Sequence, residues 1–212
     1  MTLLSDKLSL LAIVVIVLEI ALIVLVVSPE RARAARVAEQ QTAVEVYGER
    51  LAAKARAYAE REFGETFVES GFLDRLDRML LPDEEARRRA TGIEDLGTDT
   101  FAWVRERLAT LGTTLLGVFH RAYLVGLMGA FALALALCAL TDALVGRKAA
   151  LMNSEITNAV FYHGAKGLLL WLLLLPILLT ISPITIRSTA LLLWGASVPA
   201  LLWVGARNVQ EM

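Results

Sequence analysis

Tyr162, His163 and Lys166 stand together at the mouth of a run that carries no charge, GLLLWLLLLPILL at 167–179. A phenol, an imidazole and an amine in such proximity are the raw material of acid–base or nucleophilic chemistry. The surroundings do not complete such a site. The serines nearest His163 belong to no nucleophile elbow, and no acidic partner pattern accompanies them. The only other histidine, His120, precedes a different apolar run, so the two rings are expected on opposite membrane faces about 30 Å apart. No cysteine cluster and no His-Glu-x-x-His pairing supplies further metal ligands, and the one cysteine, Cys138, has no disulfide partner in the chain. The expectation is a protein that is not an enzyme, with no catalytic, cofactor or metal site.

A second role suits the same residues. Tyr162, His163, Lys166 and, a turn further in, Trp171 are amphipathic side chains that favour the headgroup level of a bilayer, with the lysine able to snorkel outward. They read as interface anchors or partner contacts. Phe119, His120, Arg121 and Tyr123 repeat the arrangement before another run.

The elements that must carry these residues follow from hydrophobicity. Hydrophobic residues make up 57% of the 212, with a mean hydropathy of +0.59, too apolar for a soluble domain. A hydrocarbon core of about 30 Å takes roughly 20 helical residues to cross. Runs of that length lie at 8–27, 122–141, 167–186 and 188–206; the first holds one charge, Glu19, and the others none. None alternates as a barrel strand does, so the fold class is an all-α integral membrane protein with four transmembrane helices. A cleaved signal is the alternative for the first run, but its length, Glu19 and the crowding of Pro29 and Arg31 favour an anchor.

The expected divisions are a first span with a short tail at 1–27 and an amphipathic helical extramembrane domain at 28–121. The second span at 122–141 is followed by a short loop with an interfacial helix at 142–166, the third and fourth spans at 167–206, and a tail at 207–212. Within the domain, Val37, Val44, Tyr47, Leu51, Ala55 and Tyr58 keep the spacing of one helical face. Phe67, Phe72, Leu76 and Leu80 form a second amphipathic piece, and Asp83 opens a short helix with an acidic start and a basic end. From Asp99 a third pattern runs without proline into the second span, as one long helix would.

Glu19 is the sharpest anomaly, since an ionised carboxylate in mid-bilayer costs at least about 2.5 kcal/mol. It should face protein, with Ser197 the one hydroxyl of comparable depth on another span. Gly126, Ala130, Ala134 and Cys138 recur every four residues and make a smooth stripe for helix packing, as do Ala196 and Ala200. Pro176 and Pro199 interrupt two spans, and neighbouring helices should satisfy the carbonyls they free. Glu19, Gly126, Ala130, Ala134 and Ser197 are thus the expected packing or assembly residues. A proton- or solute-linked transport subunit centred on Glu19 is the rival reading. No relay of further polar groups supports it.

A net charge of −1 recommends no direct contact with nucleic acid. Lys7, Arg147, Lys148, Lys166 and Arg207 lie in short segments on one side, against Arg187 on the other. By the positive-inside rule both termini are cytoplasmic and 28–121 is periplasmic.

Ala139-Leu140-Thr141-Asp142, then Phe161-Tyr162-His163-Gly164-Ala165-Lys166, then Leu175-Pro176 and Pro183 resemble the membrane proteins of integrating conjugative elements, small products encoded beside type IV coupling ATPases. The likeness runs from Ala139 to the end. Gly167 and the sparse Arg147-Lys148 loop depart from its more basic pattern. The resemblance implies a bacterial inner-membrane protein that accompanies DNA transfer machinery, a scaffold or accessory of a type IV secretion apparatus. Lipid and a coupling ATPase would be its partners, with homo-oligomers open.

Overall fold

The structure is a computed structural model that describes residues 26–80, 94–152, 159–181 and 186–209. Every regular element among them is helical. Glu19, the first apolar run up to residue 25, Pro183 and the helix expected after Asp83 lie outside the described residues.

Helix α1 (Pro29–Tyr47) begins as its sequence directs. Ser28 is the N-cap and its hydroxyl accepts from the Arg31 amide at 3.3 Å; Pro29 stands in the first turn, and Glu30 meets the positive end of the dipole. It ends at Gly48, where φ is +80° and the amide bonds to the Val44 carbonyl at 2.9 Å. Only a residue without Cβ takes that conformation readily. Helix α2 (Glu49–Phe63) follows at once.

The single apolar face expected from Val37 through Tyr58 is therefore split between two helices, and of the residues expected on it only Ala55 lies on the face that packs. Glu39 and Ala43 are buried on α1, and Ala52, Ala55 and Ala59 on α2, while Val37 is 53% exposed and Val44 also faces outward. Alanine lets helix axes approach closely, so small size, not greater hydrophobicity, selects the contact.

A π-helical segment, Gly64–Glu69, prolongs α2. A turn at Gly71, again with positive φ, leads into α3 (Phe72–Leu80). Helix α4 (Glu94–Met152) is continuous for 59 residues, about 90 Å at 1.5 Å per residue. The proline-free pattern from Asp99 is thus one helix. It does not stop at Asp142: where a loop was expected, α4 runs on to Met152. Helices α5 (Ala159–Ile181) and α6 (Ser188–Arg207) carry the last two apolar runs. The charged and aromatic residues before the third run, expected in a loop with an interfacial helix, form the first turns of α5.

The chain divides into two compact units at Arg121 and Ala122. The polar unit holds α1 to α3 and the first part of α4. There Arg107 Nη1 donates to the Val27 carbonyl at 2.7 Å and Arg121 meets Glu39, so α1 runs beside α4 in the same direction. The apolar unit holds the rest of α4 with α5 and α6. Among the described residues three helices are long and apolar enough to cross a membrane: α4 within Phe101–Ala150, α5 within Phe161–Thr180, and α6 at Ser188–Arg207. Only 11%, 11% and 22% of their most apolar windows are buried within the chain, so most of this surface is left for lipid or another protein.

Candidate functional site

Two clusters of polar contacts, one in each unit, hold the helices in place. In the polar unit, Ala32, Ala35, Arg36 and Glu39 bring one side of α1 against α4, and Glu39 meets Arg121 across a sequence separation of 82 residues. Arg121 Nε donates to Oε2 at 3.1 Å and Nη2 donates to Oε1, a two-pronged ion pair with Glu39 5% and Arg121 7% exposed. Such pairs are geometrically specific, and their removal from one side leaves a charge buried alone.

His120, 5% exposed, is next to this pair, with the Ala55 carbonyl close to its ring. Burial lowers its pKa below the ordinary histidine value, and the charges of Arg36 and Arg121 act the same way. Glu39 and the Ala55 carbonyl oppose them. The ring precedes the charge-free stretch by two residues. Arg36 is half-buried on the neighbouring turn of α1, and loss of water lowers its pKa too. Thr110 is fully buried, its hydroxyl donating to the Glu106 carbonyl at 2.9 Å. A shallow cleft lined by Arg36, Glu39, Thr113, Thr114 and Arg121 opens beside the pair.

His120 and Arg121 are therefore not interface groups as their place before the second run suggested. Helices α1 and α2 cover that flank of α4, which turns an apparent aromatic belt into an interior.

In the apolar unit the main device is Trp194. Pro176 lacks an amide hydrogen, which frees the Leu172 carbonyl one turn before it. Trp194 Nε1 donates to that carbonyl at 2.7 Å from α6, so a neighbouring helix does satisfy the group that proline exposes. Leu191, Trp194, Gly195 and Val198 form the buried side of α6. A Cβ placed on Gly195 would lie 3.8 Å from the Met128 carbonyl oxygen, and one on Gly205 3.6 Å from the Ala165 Cβ, so both crossings are close. Further along, Trp203 Nε1 donates to Asp142 Oδ2 at 2.8 Å, and the Arg207 guanidinium lies over the Trp203 ring at 5.1 Å. Asp142 thus works as an acceptor on a continuing helix.

The residues singled out from sequence are placed as follows. Gly126, Ala130, Ala134 and Cys138 are all exposed, as are Ala196 and Ala200, so no contact among the described residues covers these stripes. The buried line of α4 is Leu124, Ala132, Ala143 and Ala150. Ser197 is half-buried and donates to the Trp194 carbonyl at 3.0 Å, a bond within its own helix. Tyr162 is half-buried, its ring edge-on to His163 at 5.2 Å; His163, Lys166 and Trp171 are exposed. No acidic or nucleophilic group is placed against them by any described contact. Among the described residues no group of three or more His, Cys, Asp or Glu comes together as a metal site.

Sequence reading missed Glu39 and Trp194, and it placed Arg121 in an interface belt and Asp142 at the close of a span rather than in these contacts. For Glu39 the signal was its place in a line of alanines at helical spacing. For Trp194 it was an indole one helix away from an interrupting proline.

What these features define, among the described residues, is an all-helical architecture with three helices that could span a membrane and a polar unit built on an alanine interface. Residues 27–210 match the family described as "IncC plasmid conjugative DNA transfer protein DtrJ-like", and the chain belongs to that DtrJ-like family. Among curated proteins and among solved structures nothing matches the chain. Family membership implies a role in conjugative DNA transfer. The matched range reaches into both units.

Proposed function

We propose that the protein is a non-enzymatic accessory or scaffold in the bacterial inner membrane, serving the type IV secretion apparatus of a conjugative element, plasmid-borne or integrating. Membership of a conjugative transfer family carries this reading. The geometry supports it by what it leaves uncovered. The small-residue stripe Gly126, Ala130 and Ala134 and the belt of His163, Lys166 and Trp171 face away from the chain's own core, available to lipid and to other spans. The buried clusters hold helices together and expose no reactive group.

In this reading the run at 8–27 is a fourth span, both termini are cytoplasmic, 28–121 is periplasmic, and Glu19 and Ser197 contribute to packing or assembly. A coupling ATPase is the expected partner, with homo-oligomers open. Val27, where the first run ends, accepts from Arg107 about 22 Å along α4 before Ala122.

The experiment is a mating assay combined with reporter fusions. Deletion should lower transfer, and His163→Asn should restore it as fully as the parent sequence. Fusions at Glu65 and Ala150 should report the periplasm and the cytoplasm respectively. Transfer unaffected by the deletion removes the reading. Dependence on the His163 imidazole moves it towards an enzyme, and reversed fusions invert the topology.

A further inference from the structure

Helix α3 carries an apolar face that the polar unit does not cover. Phe72, Leu73, Leu76, Met79 and Leu80 fall within about 120° of arc at 3.6 residues per turn, and Asp74, Arg75, Asp77 and Arg78 take the other side. No residue of α3 is buried, and Met79 is 87% exposed. A nine-residue helix that buries so little is not held in water by a core of its own.

Its start is tied to a definite place. The Phe72 ring lies 5.6 Å from Phe67, and Phe67 lies 6.2 Å from Phe119. Phe119 is on α4 three residues before the charge-free stretch that begins at Ala122. The first turn of α3 is thus joined by aromatic contacts to the point at which α4 would enter lipid. Its two aspartates and two arginines cancel, so headgroup charge adds no net attraction. Arg78 Nε turns back to the Asp74 carbonyl at 3.2 Å. Apolar surface is what this helix has to offer.

We propose that α3 lies on the membrane surface, with Phe72, Leu76, Met79 and Leu80 set into the boundary between headgroups and acyl chains. Lipid is the occupant of this face, as for other in-plane amphipathic helices. The inference rests on the reading of α4 as a membrane span. It adds a second point of attachment on the polar unit.

The test uses the full chain with Cys138→Ser and one nitroxide-labelled cysteine at a time, Met79→Cys, Asp77→Cys or Leu133→Cys. Each is reconstituted into phosphatidylcholine–phosphatidylglycerol vesicles. Leu133 is an exposed residue of the charge-free stretch and reports the span itself. Expected are labels at Met79 and Leu133 relaxed more by oxygen than by a water-soluble nickel chelate, with the reverse at Asp77. A water-exposed label at Met79 beside a lipid-exposed one at Leu133 overturns the surface helix and leaves the span intact. A Met79 label shielded from both reagents overturns it in favour of a protein contact. Water exposure at Leu133 removes the span and the inference with it.

Discussion

Arg121 and Trp194 each take a polar nitrogen out of water, yet the regions they hold together do it by different means. In the polar unit the partner is a carboxylate, and the surrounding contact is made of alanines that bring α1 and α2 close. In the apolar unit the partner is a backbone carbonyl freed by proline, and no full charge is buried in the Trp194 contact. The difference follows from the solvent each surface suits. Where charged residues can reach water on the outer faces of α1 and α2, a buried pair fixes the register of helices whose apolar contacts are small and nonspecific. In a helix with almost no polar side chains, the only hydrogen-bonding capacity left to satisfy is the backbone's, and an indole from the next helix supplies it.

The largest effect should come from breaking the pair on one side. Glu39→Gln leaves the Arg121 guanidinium buried without its counter-charge and should destabilise the polar unit by about 3–5 kcal/mol. The loss should appear as early proteolysis between α1 and α2 in detergent, with the apolar unit still helical by circular dichroism. Replacing both partners by Met should cost far less than the sum of the two single changes. An additive double replacement would show that the pair is not coupled.

A smaller effect belongs to the indole bond. Trp194→Phe removes the donor to Leu172 and should cost about 1 kcal/mol in thermal denaturation of the purified protein. Pro176→Ala restores an amide that can donate to the same carbonyl, so Trp194→Phe made in that background should cost less. Equal costs in the two backgrounds would mean that the proline and the indole are independent.

His120 gives a pH test of the polar unit alone. Burial keeps its folded pKa below the ordinary histidine value of 6.5, so the folded ring resists protonation that the unfolded ring accepts. Stability is fully present above about pH 6.5 and falls as pH drops from there towards the folded value, levelling off below it. His120→Leu removes the titrating ring and should abolish this slope. A slope unchanged in the variant would assign it to another group.

The least effect on the isolated chain should come from the stripe. No atom lies within 4 Å of a Cβ built on Gly126, so Gly126→Leu should leave melting within about 0.5 kcal/mol of the parent. Loss of complexes in native membranes would then mark the stripe as a contact with another span. Unchanged complexes would mark it as lipid-facing.

How much of this was legible in the sequence depended on the range of the interaction. The continuous helix through Phe101 and Leu115 into the second run was readable from apolar spacing and the lack of proline, because helix propagation is local. The carbonyl freed by Pro176 was readable for the same reason. The break at Gly48 was not, because apolar residues keep helical spacing on both sides of it and a glycine at mid-pattern is also tolerated in a continuous helix. The buried face of α1 and α2, apart from Ala55, escaped notice because alanine contributes weakly to any hydrophobic pattern. The Glu39–Arg121 pair joins residues 82 apart, and no local rule connects them. Arg121 therefore read as a headgroup anchor until α1 was seen to cover it.

The most direct test of a contact role in conjugation is affinity purification of the full-length protein from donor-cell membranes in mild detergent. The account predicts that a type IV coupling ATPase is retained with the parent protein and depleted with Gly126→Leu or Glu39→Gln. Repeated recovery of the chain without any component of the transfer machinery, from cells in which it supports mating, would contradict it.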